Sequence, residues 1–148
     1  MECRLDSKGR VLFPAVFKEQ LADVVDNGFV LKRSMQRQCI ELYPSPEWAK
    51  MKKGLSKLNR FNRKHNDFIR IFMAGVRQVS LDGTGRLQIP KDLTNYAGLE
   101  GDIVLASTAG IIEIWNKSKY EAALGEYKEE EIGTLAEEVF GEMDFNEE

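Results

Sequence analysis

Apolar and polar positions along this chain form short patterned bursts, and the bursts occur twice. Phe29-Val30-Leu31 and Ile103-Val104-Leu105 are compact apolar runs that read as strands. Cys39-Ile40-Glu41-Leu42-Tyr43 and Ile111-Ile112-Glu113-Ile114-Trp115 alternate with period two, which predicts strands with one buried face. Ahead of each pair lies a short amphipathic stretch, Ala15–Val25 and Lys91–Gly98, and each stretch follows a proline. A helix is predicted after each second strand. Ser45-Pro46-Glu47-Trp48 supplies an N-cap, a first-turn proline and an acid, whereas Asn116-Lys117-Ser118-Lys119-Tyr120 opens its counterpart less distinctly. Each half therefore reads strand–turn–strand, helix, strand, strand, helix.

The halves match most closely where each begins. Leu5-Asp6-Ser7-Lys8-Gly9-Arg10-Val11-Leu12-Phe13-Pro14 aligns without gaps on Leu81-Asp82-Gly83-Thr84-Gly85-Arg86-Leu87-Gln88-Ile89-Pro90, 76 positions later. Leu, Asp, Gly, Arg and Pro recur at identical places. Between the halves, Trp48, Met51, Leu55 and Leu58, then Phe61, Phe68, Ile69, Phe72 and Met73, recur at helical spacing and read as a connector with core or interface stripes. In the tail, Ile132, Leu135, Ala136, Val139, Phe140 and Met143 fall on one helix face and acids crowd the other. That helix could cover its own domain or dock on a neighbouring subunit. The division expected is 1–48 for the first repeat, 49–75 for the connector, 76–120 for the second repeat and 121–148 for an acidic helix or tail.

Composition narrows the class. With 43% hydrophobic residues in 148, there is enough apolar material for a packed core, so wholesale disorder is not expected. No run approaches the roughly 18 apolar residues of a membrane span. Met1–Arg10 is polar and lacks the apolar centre of a secretory signal, so a soluble, cytoplasmic protein is expected. Cys3 and Cys39 are isolated and read as reduced, half-buried thiols rather than a disulfide or a zinc site. The one histidine, His65, lies among charged residues and reads as a solvated position. No metal site, cofactor site or catalytic set is therefore expected.

Formal charge is −3, but it is unevenly placed. Met1–Gly75 carries 15 cations against 8 acids, and Val76–Glu148 carries 6 against 16. A basic front and acidic rear make net charge a poor guide to what one face binds.

The repeated Asp-x-x-Gly-Arg element carries the chemistry. Gly9 and Gly85 can take the left-handed backbone of a tight turn. Asp6 and Asp82 can accept backbone N–H groups across that turn, or hold the arginine four residues on. Arg10 and Arg86 then open the next strand, and Pro14 and Pro90 end the ladder because proline has no N–H. A single copy would be equally well explained as a structural hairpin. Two copies place both arginines on related surfaces, and arginine suits bidentate recognition of phosphate or guanine. Lys8 adds a cation to the first copy where the second has Thr84, so the first turn is expected to be the stronger anchor.

On these residues the chain resembles the MraZ family, bacterial proteins built from two tandem AbrB-like (SpoVT–AbrB) domains. The resemblance runs from about Cys3 to Leu124. It rests on the paired motifs Asp6…Arg10 and Asp82…Arg86 within Gly-Arg-Val-Leu-Phe-Pro and Gly-Arg-Leu-Gln-Ile-Pro. The family pattern has a glycine and a few more residues before its first motif, whereas five residues precede Asp6 here, which leaves a short opening strand and a trimmed start as the two alternatives. The acidic tail from Glu126 is outside the shared pattern.

The resemblance implies an α+β fold in which two pseudo-symmetric AbrB-like repeats form a swapped-hairpin (double-split) β-barrel with flanking helices. It also implies a ring-shaped homo-oligomer that binds double-stranded DNA at repeated promoter sites upstream of the division and cell-wall gene cluster. Such a protein would be nucleoid-associated. DNA contacts would centre on Arg10 and Arg86, oriented by Asp6, Asp82, Gly9 and Gly85, with Lys8 and Arg4 as phosphate contacts on charge alone. The alternative is an antitoxin-type interaction module acting through its acidic tail. An enzyme is not expected, and neither a membrane nor a small-molecule substrate is implied.

Overall fold

Hydrogen bonding between strands repeatedly crosses from one half of the chain to the other. The computed structural model describes residues 1–22 and 27–143. The first half gives β1 (Glu2–Arg4), β2 (Arg10–Leu12), α1 (Ala15–Gln20), β3 (Phe29–Arg33), β4 (Ile40–Pro44) and α2 (Ser45–Ser56). A connector helix, α3 (Arg63–Met73), follows. The second half gives β5 (Arg77–Val79), β6 (Arg86–Gln88), α4 (Lys91–Ala97), β7 (Asp102–Thr108), β8 (Ile111–Asn116) and α5 (Lys117–Leu124), and α6 (Glu129–Glu142) closes the described chain. The α+β class and the element order of each half match the pattern in the sequence. The end of the amphipathic stretch Ala15–Val25, from Asp23 on, and residues 144–148 of the tail lie outside the described residues.

All strand pairings are antiparallel, and the first strand of each half is exchanged. β1 pairs with β7 of the other half, and β5 pairs with β3. The resulting six-stranded sheet runs β1-β7-β8-β4-β3-β5, and β2 pairs with β6 in a separate ribbon. Two pairs lie opposite their own repeat counterparts: Val11 with Leu87, and Glu41 with Glu113. The pseudo-two-fold axis relating the halves therefore passes through both. The opening strand is three residues long, and so is its counterpart β5.

One core joins the ribbon to the sheet. Val11, Phe13, Leu87 and Ile89 from the ribbon side pack with Leu31, Ile40, Leu42, Ile103, Leu105 and Ile114 from the sheet. Burying one such side chain stabilises the fold by about 1.5–3 kcal/mol. A second cluster, Val30, Tyr43, Trp48 and Phe72, seats α2 and α3 on the outer side of β3 and β4. Lys32 is fully buried there. Its ammonium lies 4.2 Å from the Phe72 ring centroid and donates to Glu41 (3.4 Å) and to the Arg33 carbonyl. Burial lowers the Lys32 pKa, and the Glu41 carboxylate opposes that shift.

Several local details depart from the sequence pattern. Pro44, not Ser45, occupies the N-cap of α2, and Ser45 donates its hydroxyl to the Asn27 and Gly28 carbonyls instead. The hydroxyl finds acceptors in the loop it faces, so it does not turn back on its own helix. Cys39 is fully buried rather than half-buried, and burial pushes its thiol up to about 12. Cys3 is partly buried, and both thiols are free. His65 accepts the Asn59 backbone N–H on Nδ1 (3.1 Å), so it ties the turn ahead of α3. Of the second connector stripe, Phe72 is buried but Phe61 is 92% exposed.

Two compact units divide the chain, Met1–Lys117 and Ser118–Glu148. Within the second, α6 carries Glu129, Glu130 and Glu131 in its first turn. Ile132, Leu135, Val139 and Phe140 on the same helix are exposed.

Candidate nucleic-acid interface

The motif turns are made by the same backbone in both copies. Asp6 and Asp82 each close a small loop: the Asp6 N–H donates to the Arg10 carbonyl and the Gly9 N–H to the Asp6 carbonyl, and Asp82, Arg86 and Gly85 repeat both bonds. Gly9 and Gly85 both stand at φ +78°, a conformation open to glycine at little cost. The halves also brace each other, since the Phe13 N–H donates to the Gly85 carbonyl (3.0 Å) and the Ile89 N–H to the Gly9 carbonyl (2.9 Å).

The carboxylates do different work. Asp6 accepts from the backbone N–H of Lys8 and of Arg10 through Oδ1 (2.9 Å each), and from Arg10 Nε through Oδ2 (2.9 Å). Asp82 accepts the backbone N–H of Thr84 (2.8 Å), the Thr84 hydroxyl (2.7 Å) and the backbone N–H of Arg86 (3.0 Å), all on Oδ1. Among the described residues no ion pair engages the Arg86 guanidinium. Of the two possibilities for these carboxylates, Asp6 thus takes both the backbone and the side chain of its arginine, and Asp82 the backbone alone. Asp82 fixes the Arg86 backbone and leaves the side chain free. The backbone N–H of Arg10 leads the causes that hold the Asp6 carboxyl below its ordinary value, with the guanidinium adding to it. The Asp82 carboxyl is drawn down to about 2, chiefly by the Arg86 N–H and the two Thr84 bonds.

The β2–β6 ribbon presents one outward face. Val11 and Leu87 point into the core, and the alternation sends Arg10, Leu12, Arg86 and Gln88 the other way. Arg10 lies opposite Gln88, and Leu12 opposite Arg86. The two arginines are therefore diagonal neighbours, with backbones roughly 7–8 Å apart. Gln88 extends across the ribbon and donates to the Lys8 carbonyl (2.7 Å), an extra brace on the first turn. Its repeat counterpart Leu12 has no amide to return the favour.

The remaining candidates sit around the first turn. Arg4 and Lys8 line a cleft of about 620 Å³ with Lys91, Thr94 and Asn95, and with the acids Asp6 and Glu100. Arg4 is already paired with Asp102 at 3.2 Å, although both side chains are exposed. Two residues that the motif did not single out also belong to the face: Gln88, through its bond to the first turn, and Lys18, whose ammonium lies against Gly85.

Comparison with known proteins gives the chain a family. The family model for the MraZ protein, a description that also carries the word antitoxin-like, matches the chain twice, at residues 1–71 and 72–142. The chain belongs to the MraZ family. Among MraZ relatives, the transcriptional regulator MraZ of Christiangramia forsetii is 50% identical over 145 residues, 98% of this chain and 93% of that protein. That of Flavobacterium psychrophilum is 51% identical over 146 residues, 99% and 92% of the two chains. A more distant MraZ, from Bacteroides thetaiotaomicron, is 34% identical over 143 residues, 96% and 90%. Both MraZ matches include one Asp-x-x-Gly-Arg turn, so each family unit brings one arginine to the ribbon.

Proposed function

We propose that this chain is a DNA-binding transcriptional regulator without catalytic activity, and that the outward face of the β2–β6 ribbon is its DNA surface. One observation carries the reading: two arginines, one from each repeat, stand diagonally across one face of a ribbon whose turns are fixed by aspartate and glycine. The names of its relatives as transcriptional regulators support it. Phosphate contacts from Lys8, Arg4 and neighbouring cations supply most of the affinity, and Arg10 and Arg86 supply base selectivity. The ribbon and the six-stranded sheet wrap into a double-split barrel, with residues 1–48 and 76–120 as its repeats, 49–75 as connector and 121–148 as tail.

One ribbon offers few cations, so a single chain binds weakly. A ring-shaped homo-oligomer on repeated promoter sites, upstream of the division and cell-wall gene cluster, raises affinity through effective concentration. The protein then works at the nucleoid. A footprint on the region upstream of its own gene tests the reading. Wild type should protect regularly spaced repeats, and the Arg10→Ala/Arg86→Ala variant should protect none. Equal protection by both would reject it.

The acidic α6, with its exposed apolar stripe, favours a second reading as an antitoxin-type module that captures a basic protein partner. Removal of residues 126–148 separates the two. Loss of partner capture with DNA binding intact supports the second, and intact binding with no partner lost supports the first.

A further inference from the structure

The second turn lacks the lysine of the first, because Thr84 stands where the first copy has Lys8. The structure fills that gap from elsewhere. A side chain built at Gly85 would collide with the Lys18 ammonium, which places that cation directly on the second turn. Lys18 belongs to α1, in the first half of the chain. Its placement follows from the swap: the Phe13 N–H bonds the Gly85 carbonyl, Pro14 caps α1, and the first turn of the helix then carries Lys18 over the turn of the other half.

The arrangement is reciprocal. The residue 76 positions after Lys18 is Thr94, and Thr94 lines the cleft beside Gly9 and Lys8 at the first turn. At these two matched positions each turn thus has one lysine and one threonine, with the roles exchanged, while Lys91 is a further cation at the first turn. At the first turn the lysine is in the loop and the threonine on the opposite half's helix. At the second the threonine is in the loop and the lysine on the helix. Thr84 is committed to Asp82 through its hydroxyl and its N–H. The Lys18 N–H donates to the Pro14 carbonyl, but its ammonium has no hydrogen bond or ion pair among the described residues, and the residue is only partly buried. An ammonium lying on a turn, lacking an anion among the described residues and set beside an arginine with no ion pair there, is a site for one phosphate oxygen.

We propose that Lys18 forms with the Gly85 turn a second backbone-phosphate site for duplex DNA, equivalent to Lys8 at the first turn. The proposal rests on the ribbon being the DNA surface. The second turn then has its own counterpart to Lys8, and Lys8 by itself no longer sets the first turn apart.

The test compares wild type, Lys18→Thr, Lys18→Arg and Lys18→Thr/Thr84→Lys on two duplexes, one from upstream of the protein's own gene and one of scrambled sequence, over a series of salt concentrations. Lys18→Thr should weaken binding to both by about three- to tenfold and lower the salt slope by about 0.9 per engaged chain. Lys18→Arg should stay near wild type, and the double variant should regain slope and affinity because the lysine has returned to the loop. Thermal unfolding of wild type and the two Lys18 single variants should nearly coincide, since the ammonium has no partner to lose, whereas the double variant also gives up the Thr84 hydroxyl bond to Asp82. If Lys18→Thr keeps the wild-type affinity and slope while Arg10→Ala and Arg86→Ala lose binding, the Lys18 site is wrong and the ribbon reading stands. If wild type shows no salt-sensitive binding to either duplex, the ribbon reading falls and the site with it.

Discussion

The two motif turns share a backbone path, a glycine at φ +78° and an aspartate that gathers N–H groups, yet they hold their arginines differently. At the first turn, Asp6 grips both the backbone and the Nε of Arg10, and Gln88 props the loop from across the ribbon. At the second, Asp82 turns to Thr84 and leaves the Arg86 guanidinium unpaired. The first turn presents an arginine already oriented but partly neutralised. The second presents a free one, which keeps its full charge and loses more side-chain entropy on binding. Duplication therefore conserved the scaffold while the two side chains diverged in how they are held.

The largest effect separating the turns should come from their glycines. A Cβ at Gly9 would lie 3.2 Å from the Ile89 carbonyl oxygen, a backbone atom of the residue whose N–H bonds the Gly9 carbonyl, whereas at Gly85 it meets the flexible end of Lys18. Both alanines incur the left-handed penalty of about 1–2 kcal/mol. Gly9→Ala should add about 1 kcal/mol more, because backbone must shift. Urea unfolding of the two variants measures the gap, and equal losses would mean that the contact relaxes freely.

Acid should act next, and more strongly on the second turn. A carboxyl whose folded pKa lies below its unfolded value stabilises the fold above the unfolded pKa, and that contribution is lost as pH falls through the folded one. For Asp82 the window runs from the ordinary 3.8 down to about 2. Melting temperature should fall across this window in wild type, less steeply in Asp82→Asn. Parallel profiles would show that the Thr84 and Arg86 bonds do not favour the charged form. The smallest effect is expected at the brace: Gln88→Leu makes the ribbon symmetric with Leu12 and should cost about 0.5–1.5 kcal/mol, confined to the first turn in hydrogen exchange. Equal loosening of both turns would contradict a local role.

Much of this was legible in the chain. The matched decapeptides announced the duplication, and period-two alternation through Ile40–Tyr43 and Ile112–Trp115 located the two strands that meet at the axis. Gly9 and Gly85 followed from turn chemistry. The strand exchange was not legible from pattern alone, because a three-residue strand such as Glu2–Arg4 carries too few positions to specify a partner; the family resemblance supplied that expectation. Which of its two possible partners the Asp82 carboxylate takes, backbone N–H groups or the Arg86 side chain, was left open for a related reason. Spacing shows that Asp82 can reach Arg86, but not that the Thr84 hydroxyl reaches Asp82 first. Lys18 was overlooked because its neighbour Gly85 is 67 positions away and comes close only through the swap. The Lys18–Thr94 mismatch in the repeat alignment, opposite in sense to Lys8–Thr84, was the available signal.

The central claim is that two arginines from two repeats form one DNA-contacting face. The dissociation constant of wild type, Arg10→Ala, Arg86→Ala and the double variant, measured across salt on the duplex from upstream of the gene, tests it most directly. Each single change should weaken binding by about 1–3 kcal/mol, and the double change should abolish the preference for that duplex over a scrambled one. Retention of that preference by the double variant would contradict the account.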